Sequence, residues 1–353
     1  MSFETVAWEA GQVVLIDQRR LPGEEIYLHL KTPGEVADAI RDMVVRGAPA
    51  IGITAAYAVV LSVRRHLEHS PDNWQGLVQQ DIQKLAAARP TAVNLVWALQ
   101  RMQQRMARLE AGPAACLLEE ARKIHAADID ANHRMGGYGA NLINKGDSVL
   151  THCNAGALAT GGYGTALGVI RSAWAEGKLV NVYAGETRPW LQGARLTAWE
   201  LLQDDIPVTL VTDSASAFLM QGDKVQWVIT GADRVAANGD VINKIGTYSL
   251  ALACRYHGVK MMVAAPLSTL DMAMPDGQQV AIEQRPSDEI LKFSGHALAA
   301  AGATAWNPVF DVTPASLVDY LVTEAGIVAA PDREKLAELH DQRPAGHSSS
   351  QNS

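Results

Sequence analysis

Between residues 148 and 264 the chain repeats one pattern, a short apolar run followed by a longer stretch of helical character. The runs are Ser148–Thr151, Leu179–Tyr183, Val208–Thr212, Val225–Thr230 and Val259–Ala264. Strands separated by helix-length intervals are not joined as hairpins. They need crossovers, which are right-handed and lay helices on the faces of a parallel sheet. The alternation therefore predicts an α/β, doubly wound, mostly parallel sheet domain. Such sheets bind ligands beyond the carboxyl ends of their strands. Four of these strand ends meet a chemically able residue: Cys153, Glu186, Asp213 and Asp233.

The first third reads differently. Gln12–Gln18 and Glu25–Leu30 are β-rich runs separated by RRLPGE, whose Pro-Gly pair predicts a hairpin turn. Thr32-Pro33-Gly34-Glu35 fits a capping box with Pro at the first helical position, and Val36, Ile40, Val44 and Val45 follow at helical spacing. After Arg46-Gly47-Ala48-Pro49, residues Ala50 to Leu61 are apolar on every side, which predicts a fully buried helix. A helix capped at Asp72 or Asn73 ends near Arg89-Pro90, another covers Asn94 to Leu109, and a long one from about Cys116 to Ile143 leads into the sheet domain. The expected division is a small N-terminal hairpin-plus-helices domain over 1–125, a doubly wound, mostly parallel sheet domain over 126–342, and a Ser-rich disordered tail over 343–353.

Bulk properties exclude several classes. Lys+Arg 30 against Asp+Glu 38 gives a formal charge of −8 over 353 residues, which argues against a general nucleic-acid or anionic-membrane surface while leaving room for a local cation cluster. Cys116, Cys153 and Cys254 are odd in number and lack any C-x-x-C spacing, so neither a disulfide framework nor a zinc site is indicated. With no leader-like start and no apolar run of membrane-spanning length, the reading is cytoplasmic.

The chemical candidates gather where strands end. In DSVLTHCNAGALATGGYGTALG, Asp147 to Gly168, a strand runs into Cys153, small residues follow, and a helix is expected from about Thr160. A thiol there would meet a helix N-terminus, whose field favours thiolate, although a lone cysteine also serves as a small buried hydrophobe. Cys116 and Cys254 sit in helical apolar patterns and read as core. Asp233, after VITGA, could be a general acid or base if an apolar pocket keeps it neutral, or an ordinary turn aspartate. Asn243 and Lys244, placed at the start of the next helix, could hold a phosphate. Arg46, wedged between apolar helices, needs an anionic partner, and Arg89 could act similarly or satisfy helix-end carbonyls. The glycines from Gly161 to Gly168 lie too far past the strand and at the wrong spacing for a dinucleotide fingerprint.

Taken together, RGAPAIG, HCNAGALATGGYGTALG, YAGETRPWLQGARLTAWEL, TDSASAFLM, GADRVAANGDVINKIGTYSLA and NPVFDVTP resemble the methylthioribose-1-phosphate isomerase family. It lies within a wider family that includes the α, β and δ regulatory subunits of initiation factor 2B and ribose-1,5-bisphosphate isomerase. The resemblance runs in order over nearly the whole chain and implies a small N-terminal domain joined to a larger, Rossmann-like catalytic domain over 126–342. It implies an aldose–ketose isomerase of methionine salvage, usually a homodimer, acting on a small-molecule sugar phosphate with no cofactor and no metal. It implies Cys153 and Asp233 as the catalytic pair, and Arg46, Gly47, Ala48, Arg89, Gln192, Asn243 and Lys244 as substrate-binding residues. Trp190, Tyr163 and Met220 are candidates for an apolar recess. Other sugar 1-phosphates, or a non-catalytic regulatory subunit, are the alternatives.

Overall fold

The computed structural model describes residues 3–89, 93–109, 112–293 and 295–341, so Pro90 and the tail expected over 343–353 lie outside the described residues. The chain opens with β1 (Val6–Glu9), β2 (Gln12–Ile16) and β3 (Tyr27–Leu30), an antiparallel three-stranded meander. The predicted hairpin is β2–β3; β1 is an addition, from a four-residue run too short to show an alternation. Helix α1 (Pro33–Arg41) begins as its capping box dictates. The Thr32 hydroxyl accepts the Glu35 N–H and the Glu35 carboxylate accepts that of Thr32.

Helix α2 (Ala48–His69) is the axis of this half. Every side chain from Ala50 to Val63 is buried, as its all-round apolar sequence requires. The meander, α1, α3 (Trp74–Ala88), α4 (Val93–Met106) and the first half of α5 (Pro113–Asn141) surround it. Each of its fully buried Val, Ile and Leu side chains contributes about 1.5–3 kcal/mol by leaving water.

The second half alternates as expected: β4 (Asp147–Thr151), α6 (Ala166–Ala175), β5 (Leu179–Gly185), α7 (Ala198–Leu202), β6 (Thr209–Val211), α8 (Ser216–Gln221) and β7 (Trp227–Thr230). A hairpin of β8 (Arg234–Ala236) and β9 (Val241–Lys244) follows, then α9 (Thr247–His257) and β10 (Lys260–Ala264). The remainder comprises β11 (Leu270–Asp271), α10 (Asp288–Leu291), β12 (Lys292–Phe293), β13 (His296–Ala297), β14 (Phe310–Thr313), β15 (Tyr320–Thr323), β16 (Gly326–Ala329) and α11 (Arg333–Asp341). The main sheet has the order β16-β15-β10-β7-β4-β5-β6, all parallel except β16. From β4 the chain builds outward through β5 and β6, then crosses back to start the other wing at β7. The topological switch point is thus between β4 and β7, where a parallel sheet opens a crevice. A second sheet, β11-β8-β9-β14, lies beyond it.

Three expectations need correction. The helix expected from Thr160 starts at Ala166, because Gly162, Tyr163 and Gly164 all have positive φ and cannot continue a right-handed turn. Asn243 and Lys244 do not open a helix. They end strand β9, and Gly246 at φ 104 separates them from α9. Met220 belongs to the hydrophobic core of the sheet, and Tyr163 stacks on His133 while its hydroxyl meets Ser172, so neither forms a ligand recess.

Candidate active site

The two strands flanking the switch point run in register, with Thr151 opposite Ile229 and its hydroxyl donating to the Ile229 carbonyl. Past them the chains emerge side by side, one as His152–Cys153–Asn154 and the other as Gly231–Ala232–Asp233. The approach is close: a Cβ on Gly231 would lie 2.6 Å from that of Ala155.

Cys153 adopts a left-handed backbone, φ 61, a conformation that costs an L-residue roughly 1–2 kcal/mol. Two threonine hydroxyls hold it there. Thr187 Oγ1 accepts the Cys153 N–H at 2.8 Å, and Thr197 Oγ1 donates to the Cys153 carbonyl at 2.5 Å. Thr187 is itself left-handed, φ 63, and Asp213 fixes it by accepting the N–H groups of Thr187 and Arg188. Thr197 also accepts from Asn154 Nδ2, while the Asn154 side-chain and main-chain oxygens both accept from the Arg46 guanidinium. Arg46 and Cys153 are therefore tied through one buried network.

Asp233 enters from the other strand, and its N–H donates to the Ile242 carbonyl, starting the β8–β9 hairpin. That hairpin returns the chain so that Asn243 and Lys244 come back to the same mouth. Burial pushes the Asp233 carboxyl above the usual carboxylate range, against the opposing fields of Lys244, Arg46 and Arg89. Burial likewise lowers the Lys244 ammonium, against the fields of Cys153 and Asp233, and the amine lies 5.0 Å from the Phe310 ring centre. Arg89 is depressed by burial and faces Glu283 at 3.9 Å.

Arg46, Gly47, Ala48, Cys153, Asp233 and Asn243 thus line one pocket, while Lys244 and Arg89, outside its lining, are near enough for their charges to act on Asp233. Gly47 has φ 90, and a Cβ there would stand 2.5 Å from the Ala159 carbonyl oxygen, so no larger residue fits the turn that presents Arg46. Gln192 is not on that pocket's wall. It is buried in the turn after β5, with Oε1 unpartnered. Of the recess candidates only Trp190 faces open space, in a neighbouring cleft. Sequence reasoning missed the threonine clamps and Asn154, although Asn154 directly follows Cys153. It also missed Glu283 and Arg285, which come from a stretch with no periodic signal. The assembled groups, a thiol, a carboxyl biased towards its neutral form and three cations, suit acid–base chemistry on an anionic substrate.

The sequence pattern of the initiation factor 2 subunit family matches residues 44–330. The chain is 57% identical to a methylthioribose-1-phosphate isomerase of Thioalkalivibrio sulfidiphilus, over 96% of this chain and 98% of that one. The solved 5-methylthioribose 1-phosphate isomerase of Pyrococcus horikoshii superposes with a TM-score of 0.91 at 40% identity, covering 96% of each chain. A structure described as the translation initiation factor eIF-2B subunit delta of A. fulgidus gives 0.86 at 40% identity, over 96% of this chain and 100% of that one. Together with these isomerases, the chain belongs to the initiation factor 2 subunit family.

Proposed function

We propose that the chain isomerises 5-methylthio-α-D-ribose 1-phosphate to 5-methylthio-D-ribulose 1-phosphate, as a step of methionine salvage, with Cys153 and Asp233 as its acid–base pair. The observation that carries this reading is the pairing of a buried, neutral-leaning carboxyl with a clamped cysteine at the switch point, beside Arg46, Arg89 and Lys244. In a sugar 1-phosphate the anomeric carbon is a phosphorylated acetal, so no free aldehyde is available. The ring must open with the phosphate still attached. Asp233, held protonated, donates to the ring oxygen as its bond to C1 breaks. Hydrogen then moves from C2 to C1 while the C2 hydroxyl gives up its proton and becomes the ketone. By one route Cys153 removes the C2 proton and returns it at C1 through an enolate. By the other, hydride shifts directly and Cys153 assists at the hydroxyl. Arg46, Arg89 and Lys244 neutralise the phosphate, with Gly47, Ala48 and Asn243 shaping its seat; Gln192, off the pocket wall, is assigned to sugar binding by the family resemblance alone.

The likeness to an initiation factor subunit favours a second reading, a non-catalytic sugar-phosphate-binding subunit, for which a clamped thiol and a protonated carboxyl together have no use. Proton NMR of purified protein with methylthioribose 1-phosphate in D₂O separates the two. Ketose formation, abolished in both Cys153→Ser and Asp233→Asn, is the expected result, and deuterium at C1 distinguishes proton transfer from hydride shift. Absence of turnover by the folded protein would overturn the isomerase reading.

The domain division near residue 125 and a cytoplasmic location are part of the same proposal. No helix among the described residues is long and apolar enough to cross a membrane, and Cys116, Cys153 and Cys254 are not joined by disulfides. A homodimer is supported by α9, which exposes Tyr248, Leu252 and Tyr256 along one stripe beside the exposed Phe218 of α8.

A further inference from the structure

A second and larger cleft, of about 600 Å³, opens beside the candidate site and is walled by the segments 41–43, 188–195 and 285–293. In a chain of net charge −8 its wall carries six cationic side chains against two carboxylates. Four of those cations have acidic partners: Arg19 with Asp17, Arg41 with Asp38 and Asp42, Arg285 with Glu289, and Lys292 with Asp288. The other two meet carbonyl oxygens. Arg188 donates to the carbonyls of Pro189 and Ile290, and Arg195 to those of Gln18 and Leu21 while it stacks on Trp190 at 4.6 Å. Carbonyl contacts orient a guanidinium without cancelling its charge, so the cleft keeps a net positive field.

The cleft and the candidate site share no wall residue, but Arg285 links them by contact and by charge. This side chain lies on the cleft wall, its Nη1 contacts Met43 Sδ at 2.7 Å three residues before Arg46, and its charge acts on both Lys244 and Arg89. Leu191 on the same wall is adjacent to Gln192. A volume near 600 Å³ is within the usual range for small-molecule sites and large enough for a whole sugar phosphate.

We propose that this cleft is an anion-capture vestibule: it attracts the dianionic phosphomonoester of the incoming substrate through Arg188 and Arg195, and from it the phosphate passes to Arg46, Arg89 and Lys244. The inference rests on the isomerase reading and specifies how its substrate arrives. A cleft of one sign of charge raises the local concentration of its ligand and the association rate, and salt screens the effect.

The test is the ionic-strength dependence of kcat and kcat/KM for the wild type, Arg188→Gln, Arg188→Lys and the distant surface variant Lys260→Gln. Between roughly 20 and 200 mM salt, wild-type kcat/KM should fall about 3- to 10-fold at constant kcat. Arg188→Gln should start about threefold lower at low salt and show a shallower slope, again at constant kcat, while Arg188→Lys keeps the wild-type slope and Lys260→Gln changes nothing. Parallel slopes for the wild type and Arg188→Gln, or a matching loss in kcat, would overturn the vestibule. Binding of inorganic phosphate, read from its ³¹P line width, separates the two readings. Arg188-dependent phosphate binding without sugar-phosphate turnover removes the isomerase and keeps the anion site; turnover with parallel slopes removes the vestibule and keeps the isomerase.

Discussion

Thr197→Val removes one hydroxyl and little volume, from a helical position (φ −63, ψ −46) that a β-branched residue accepts. It leaves two buried groups without that partner, the Cys153 carbonyl bonded at 2.5 Å and Asn154 Nδ2 at 3.2 Å. An orphaned buried polar group costs about 1–3 kcal/mol, and the two share one network, so a total loss of about 2–4 kcal/mol is expected from urea denaturation. The kinetic effect should be larger than a uniform loosening would give. Cys153 loses one of the two bonds that hold its left-handed backbone, and Asn154 no longer anchors Arg46 firmly. A displacement near 1 Å at a reacting group lowers turnover about 100-fold, so kcat should drop by about 10- to 100-fold. Thr197→Ser keeps the hydroxyl and should recover most of both losses. Stability within about 0.5 kcal/mol of wild type, together with kcat within about twofold, would refute the clamp.

Three further outcomes follow from particular residues. Burial raises the Asp128 carboxyl to about 7, against the Gly161 N–H and Asn132 amide that donate to it, so between its unfolded value near 3.8 and 7 the folded chain retains a proton that the unfolded chain releases. Stability from this group is therefore lost as pH rises through that window, by at most about 4 kcal/mol; Asp128→Asn should gain on the wild type from pH 5 to 8 in thermal melts, and a pH-independent difference would contradict the assignment. Gly47→Ala, which drives a Cβ into the Ala159 backbone at positive φ, should cost about 2 kcal/mol or more and remove activity; a melting temperature within about 2 °C of wild type would exclude that conflict. Leu252→Glu, in the exposed stripe of α9, should convert the dimer to monomer by native mass spectrometry, and a wild-type monomer would remove the dimer proposal.

The central strands were legible because a parallel sheet buries both faces, which writes continuous runs such as VLT and WVIT into the chain. The Thr32–Glu35 box and the apolar α2 were legible for equally local reasons. The β8–β9 hairpin was not, since its strands are three and four residues long and their partners come from β11 and β14, far along the sequence. Strand ends pointed to Cys153 and Asp233, and an isolated arginine between apolar helices pointed to Arg46. What held them in place was hidden: Thr187 and Thr197 look like any threonines until the fold brings their hydroxyls to the Cys153 backbone. Arg285 gave no signal because its role depends on charges 40 and more residues away.

Helix α5 runs unbroken from Pro113 to Asn141 and serves two interiors. Leu117, Ala121 and Ile124 complete the core around α2, whereas Met135 and Ala140 complete one face of the parallel sheet. A rod shared in this way makes the two halves poor independent folders, because neither can finish its interior until the common helix has formed, and an isolated helix gains most of its stability from such contacts. Amide hydrogen exchange along α5 should then slow as one cooperative block rather than as two, and a cut at residue 125 would leave each interior with only a fragment of the helix that completes it.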